Sequence, residues 1–400
     1  MDFLKEAARD APHFPALKTC EGTFSFQELE LETQKIEASL YLHPGEIVAA
    51  QLPPGRLFIA LLFATLRLGG LFCPINPRFS LPLERLNPKL FFSNQGCEIF
   101  SGVTSPHRSQ VLLFTSGTTA EPKIACLPQQ SLEASARSAV SRLDLKPQDE
   151  WLLSLPLHHV GGLGIVFRCL HAKATMALAG CEQKVTHMSA VPTQLYRAWP
   201  TAKTLRCLLL GGAPILNVPQ ELPIICSYGM TETASLVLAD GQVLPEKEVK
   251  LVNGEIWVRG DSMFEGYLGE AKRNPLDWFP TKDLGAFDDA KGFVITGRKD
   301  NQFICGGENI QPEEIEKTLL QHPDILEALV VPKQDPEYGA RPVAFLQSVK
   351  KLPELRSIQQ FLAGKLPKYK IPIAVDLLLE NEFKRERKKY IEKAQKISIF

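Results

Sequence analysis

Val111-Leu112-Leu113-Phe114-Thr115-Ser116-Gly117-Thr118-Thr119-Ala120-Glu121-Pro122-Lys123 runs from an apolar stretch into a turn crowded with hydroxyls, a glycine and a lysine. Backbone N–H groups freed at Gly117, the hydroxyls and the Lys123 ammonium together make a grip for phosphate oxygens. The order G-x-x-x-x-G-K-[ST] is absent and the lysine follows a proline, which excludes the Walker A loop. A bare S-G-T-T reads equally well as a flexible linker, so the rest of the chain has to decide.

Downstream lie three short strings: Pro156-Leu157-His158-His159-Val160-Gly161-Gly162, Leu210-Gly211-Gly212-Ala213-Pro214 and Tyr228-Gly229-Met230-Thr231-Glu232-Thr233. Asp283-Leu284-Gly285, Gly297-Arg298-Lys299-Asp300, Gly306-Gly307-Glu308-Asn309-Ile310 and Glu313-Glu314-Ile315-Glu316 come after them. In this order the strings resemble the motifs of the adenylate-forming superfamily: acyl- and aryl-CoA ligases, luciferases and peptide-synthetase adenylation domains. The resemblance implies a large N-terminal adenylate-forming domain over 1–299, layered α/β with a small β subdomain. A mobile α+β C-terminal domain over 300–400 follows, joined by a hinge at Asp300.

Composition agrees with a small-molecule enzyme. The 400 residues exceed a typical single domain, and a 44% hydrophobic content is enough for a large core. Forty-five basic and 45 acidic residues cancel, which argues against a nucleic-acid surface. Nine scattered cysteines, with neither C-x-x-C nor a zinc-type histidine spacing, read as reduced thiols of a cytoplasmic protein. The N-terminus carries no signal-peptide pattern. The apolar stretch 58–72 is broken by Arg67, too short to span a membrane, and reads as one buried helix.

Apolar runs at 46–52, 111–114, 151–155, 205–210 and 222–226 alternate with helical text, the pattern of an α/β sheet with ligand loops at strand ends. Residues 249–252 and 255–259 around Asn253-Gly254 give the clearest hairpin signal. Beyond Asp300 the text implies strands at 328–331 and 344–347 and a helix over 355–366.

The resemblance assigns roles. Thr115, Ser116, Gly117, Thr118, Thr119 and Lys123 cradle the β- and γ-phosphates of ATP. Thr231 contacts the α-phosphate and Glu232 helps hold Mg²⁺. Gly211, Gly212, Ala213, Pro214 and Tyr228 enclose adenine, and Asp283 with Arg298 takes the ribose hydroxyls. His159 lies near the acyl carboxylate, with His158 where relatives carry an aromatic. Lys384, in Lys384-Arg385-Glu386-Arg387, reaches the α-phosphate and the acid, and Gly306-Gly307 meets the pantetheine arm of CoA. Taken singly, Asp283 or Arg298 reads as a solvated charge, and the run 384–389 as a basic tail. Three positions depart from the family's usual glycine: Ala120, Lys282 and Phe383.

The implied reaction is ATP-dependent adenylation of a carboxylic acid with pyrophosphate release, then thioester formation on CoA with AMP release. Short length and the strings 156–165 and 185–195 resemble most the o-succinylbenzoate-CoA ligases of menaquinone synthesis. Another aromatic or medium-chain acid remains open, as does a non-catalytic nucleotide-binding module. A dicarboxylic aryl acid needs a cation for its spectator carboxylate; Arg168 and Arg197 are candidates by type, though a helix surface is the plainer place for either. The expected partners are thus an acid, ATP and CoA, with no nucleic acid and no transmembrane segment, a homo-oligomer being left open.

Overall fold

The apolar runs become strands because each is short, rich in β-branched and aliphatic residues, and closed by Gly or Pro. The structure, a computed structural model, describes residues 2–77, 83–115, 123–181, 184–191, 204–211, 222–349, 351–378 and 387–397. Ile47–Gln51, Leu71–Pro74 and Gln110–Thr115 lie parallel and are buried along almost their whole length. Leu90–Ser93 extends this core, while Lys123–Pro128 pairs antiparallel with Gln110–Thr115 and Gly266–Tyr267 caps that edge. Seven strands form this sheet among the described residues.

Nine form the second. Its parallel centre runs through Pro15–Thr19, Thr175–Ala177, Glu150–Leu152, His187–Ala190, Cys207–Leu210 and Ile224–Met230, with antiparallel strands at both ends. Helices Arg56–Arg67, Gln129–Leu143 and Val160–Ala172 fill the space between the sheets and join both in one apolar cluster. Parallel strands covered on both faces explain why these runs read as continuously hydrophobic.

The stretch 58–72 is not one helix. It ends at Arg67, and Gly69, with φ +76°, turns the chain into strand Leu71–Pro74. Among the described residues no helix is long and apolar enough to cross a membrane.

The predicted hairpin forms from Lys247–Val252 and Glu255–Gly260, with Val252 opposite Glu255 across Asn253 and Gly254, both at positive φ. Phe279–Asp288 and Gly292–Arg298 complete this four-stranded sheet. The C-terminal sheet is built on a longer hairpin than its apolar centre suggests, Ile325–Asp335 against Gly339–Ser348. Helices Pro312–Leu319 and Leu355–Leu362 cover one face and Arg387–Gln395 the other. The second of these stops short of 366 because Ala363 is extended and Gly364 sits at φ +82°. Among the described residues, no apolar cluster before Phe293 shares a member with those after Phe303.

Candidate active site

Asp283 and Arg298 face each other across adjacent antiparallel strands, Phe279–Asp288 and Gly292–Arg298, so sheet register alone brings them together. Arg298 Nη1 lies 3.1 Å from Asp283 Oδ1, and the Tyr228 hydroxyl donates to Oδ2 at 2.7 Å. Asp283 is only 7% exposed, which rules out a solvated surface charge. Burial pushes its carboxyl above the usual range, with the Arg298 guanidinium and the Tyr228 hydroxyl pulling the other way. Burial also raises the Tyr228 phenol, which therefore remains a donor. Lys282 holds φ +64°, a left-handed conformation that costs a side chain energy and explains the usual glycine there.

Tyr228 lies near the end of strand Ile224–Met230, and the chain turns at once through the 3-10 turn Thr231–Thr233 into Ser235–Ala239. The turn is tight at its neck: a Cβ on Gly229 would lie 1.9 Å from the Ser235 carbonyl oxygen. Gly229→Ala is therefore expected to destabilise the protein by about 3 kcal/mol, read from the midpoint of chemical denaturation. An unchanged midpoint would mean that the two strands separate without cost.

Glu232, on that turn, accepts a 2.8 Å hydrogen bond at Oε1 from the Tyr267 hydroxyl. Thr115 and Lys123 are cross-strand partners, the Thr115 hydroxyl donating to the Lys123 carbonyl at 3.3 Å. Lys123 Nζ lies 4.5 Å from the Tyr267 ring centre and 2.9 Å from Glu270 Oε1. A cleft of ≈ 260 Å³ opens beside them, lined by Arg85, Lys123, Ile124, Tyr267 and Leu268 to Glu270. Ser116, Gly117, Thr118 and Thr119 lie outside the described residues, as do Gly212, Ala213, Pro214 and Lys384.

Gly211 follows strand Cys207–Leu210 beside Tyr228's strand, where a Cβ would meet the Ser227 hydroxyl at 2.2 Å. His159 caps helix Val160–Ala172, its ring 4.5 Å from that of His158. Further along that helix Arg168 is 1% exposed, contrary to the surface placement its type suggests. Its Nη2 donates to the Ser235 hydroxyl at 2.7 Å, and its Nε has no partner. Lys247 is held nearby by the Ser262 hydroxyl. Burial and the Arg168 charge lower its ammonium to about 7, while burial lowers Arg168 to about 10. Among the described residues no carboxylate ion-pairs with either cation.

In the C-terminal body Gly306 and Gly307, at φ +58° and +86°, form the two-residue turn of the hairpin Phe303–Cys305 and Glu308–Ile310. Both are exposed, so backbone is presented to solvent there. Asp300 sits on a 3-10 turn, Lys299–Asn301, with Oδ2 3.4 Å from Lys282 Nζ and 3.8 Å from Arg298 Nη2. Arg387 donates to Glu316 Oε1 at 2.9 Å and to the Val330 carbonyl.

Comparison with known proteins agrees with this geometry. The chain is 38% identical to the 2-succinylbenzoate–CoA ligase of Salmonella typhimurium over 78% of each chain. It is 37% identical to the Escherichia coli enzyme of that name, again over 78% of each. Residues 101–268 match the AMP-binding enzyme family and 314–388 its C-terminal domain. The chain belongs to the AMP-binding enzyme family.

Solved structures are similar along almost the whole chain. An E. coli MenE variant with bound OSB-AMS superposes with a TM-score of 0.84 at 30% identity, over 98% of each chain. The o-succinylbenzoate CoA synthetase of Bacillus subtilis in complex with ATP and magnesium gives 0.80 at 25%, over 94% of this chain and 95% of that one. The expected adenylate-forming α/β fold is thereby borne out.

Gly211, Tyr228, Thr231 and Arg298 lie near or just past strand ends, and Asp283 in the middle of strand Phe279–Asp288. Among the described residues no cluster of three or more His, Cys, Asp and Glu side chains could cage a metal. Arg168 and Tyr267 are the residues that sequence reasoning misplaced or passed over. A hint of the first was present, because Arg168 is flanked by Ile165-Val166-Phe167 and Cys169-Leu170, in a helix apolar on every side.

Proposed function

We propose that the chain is an ATP-dependent acid–CoA ligase acting on o-succinylbenzoate. The observation that carries the reading is the Tyr228–Asp283–Arg298 constellation beside the Thr231-Glu232 turn, in a chain whose relatives bear that activity along most of its length. In this reading 1–299 binds ATP and acid, and 300–400 rotates about Asp300 between half-reactions.

A carboxylate oxygen of the acid attacks the α-phosphorus, the α–β bridging bond breaks, and pyrophosphate leaves. Thr115 and Lys123, with 116–119, hold the departing phosphates, while Thr231 and Lys384 meet charge developing on the α-phosphate. Mg²⁺ on Glu232 neutralises phosphate oxygens when bound. Asp283 and Arg298 fix the ribose, and Gly211 to Pro214 with Tyr228 enclose the base. In the second step the CoA thiol, delivered along Gly306-Gly307 and past His159, attacks the acyl carbon and AMP leaves. The free cysteines suit a reducing compartment, and we place the enzyme in the cytoplasm.

Arg168 and Lys247 favour a dicarboxylic acid. A buried guanidinium and a half-buried ammonium, with no carboxylate ion-paired to either among the described residues, are costly, and a second carboxylate on the substrate would supply such a pair. The test is pyrophosphate release with ATP, Mg²⁺ and CoA across o-succinylbenzoate, benzoate, coumarate and octanoate. Release and thioester are expected with o-succinylbenzoate alone. Arg168→Met is expected to lower kcat/KM for it about 100-fold while sparing any residual rate on benzoate. Turnover of another acid, or nucleotide binding without release for any acid, would overturn the reading.

A further inference from the structure

The strap from Phe264 to Glu270 ties the two phosphate-facing parts of the site together. At one end the Phe264 N–H donates to the Glu232 carbonyl at 2.9 Å. Along its length Glu265 N–H bonds the Cys126 carbonyl at 2.9 Å, Gly266–Tyr267 pairs with Ala125 and Cys126, and Leu268 N–H bonds the Ile124 carbonyl at 2.8 Å. The strap thus zips onto the strand that Lys123 begins. Within it, Tyr267 touches both sides with its side chain, its hydroxyl on Glu232 Oε1 and its ring 4.5 Å from the Lys123 ammonium.

We infer that Tyr267 is a positioning residue for metal-bound triphosphate. Its hydroxyl fixes one oxygen of Glu232 and leaves the other for Mg²⁺. Its ring is edge-packed on Phe264, centroids 5.0 Å apart, so the phenol cannot swing away cheaply. The same ring seats Lys123 by a cation–π contact. The Lys123–Glu270 pair is about half exposed on both sides and therefore weak, so a phosphate displaces Glu270 readily. The two roles separate: a phenylalanine keeps the seat and loses the hydroxyl, and a leucine loses both.

The inference rests on Glu232 as the magnesium carboxylate. The test is calorimetric titration of the full chain with ATP at increasing Mg²⁺, and with AMP in the absence of metal, which needs no turnover. Tyr267→Phe is expected to shift the Mg²⁺ midpoint of ATP binding about 10-fold upward, the loss of one hydrogen bond to a charged group, with AMP affinity unchanged. Tyr267→Leu is expected to weaken ATP further, again sparing AMP. Glu232→Gln separates the metal assignment from the tyrosine's role. If it leaves the midpoint where it was, the metal assignment is wrong. If it moves the midpoint and Tyr267→Phe does not, or if Tyr267→Phe weakens AMP as much as ATP, Tyr267 is a packing residue and the proposal fails alone.

Discussion

Asp283→Ala is expected to raise the KM for ATP about 100-fold, with little change in the KM for the acid. A carboxylate accepting from both ribose hydroxyls makes two charge-assisted hydrogen bonds, each worth about 1.5–3 kcal/mol. The substitution also removes the Asp283 acceptor of the Tyr228 hydroxyl and leaves Arg298 without its 3.1 Å counter-charge. Part of the gross loss is recovered when Arg298 rehydrates, since its side chain is 40% exposed. Because burial lifts the Asp283 pKa, its protonation begins above the ordinary carboxylate range as pH falls. ATP affinity in the parent protein should therefore drop on acidification before exposed carboxylates titrate, and that limb should vanish in Asp283→Ala. An ATP KM unchanged by the substitution would remove Asp283 from the ribose site.

Lys384→Ala should separate the half-reactions. Pyrophosphate release from ATP and acid is expected to fall at least about 100-fold, the effect of deleting one donor to developing charge. Thioester formation from supplied acyl-adenylate and CoA is expected to stay close to that of the parent. Arg387, three residues later, gives a second handle: it is anchored on Glu316 and the Val330 carbonyl within the C-terminal body. Glu316 is buried, its carboxyl pushed up by burial and held down by Arg387. Arg387→Ala leaves that buried carboxyl without its guanidinium, so it should lower stability. Equal loss of both half-reactions in Lys384→Ala would mean the lysine serves folding or CoA binding instead.

Much of this was legible in the chain because local signals and tertiary demands agree. Strand runs such as 47–50 and 111–114 are apolar throughout because both faces are covered, and Gly306-Gly307 needs positive φ at both positions. The pairing of Asp283 with Arg298 could be anticipated only from their family roles, since their contact depends on register across 15 positions of sequence. Where reasoning failed, a non-local fact decided. The helix over 58–72 stops at Arg67 because Gly69-Gly70 must turn the chain back into the sheet, and Arg67 is then consumed by Asp2 and Glu30. Tyr267 carries no local mark; its importance comes from the strap pairing with Ala125, some 140 residues earlier. Lys247 and Arg168 meet from a strand and a helix far apart in the chain, which no window of sequence can reveal.

The ion pairs around Asp300 give the molecule a clock. Asp300 Oδ2 reaches both Lys282, the neighbour of the ribose carboxylate, and Arg298, the partner of that carboxylate. A swivel of the backbone at 300 would therefore loosen Arg298, the side chain proposed above to steady the ribose. In the proposed mechanism, rotation about Asp300 and slackening of the ribose grip would be one event, so that AMP is freed for departure by the movement that brings the thiol in.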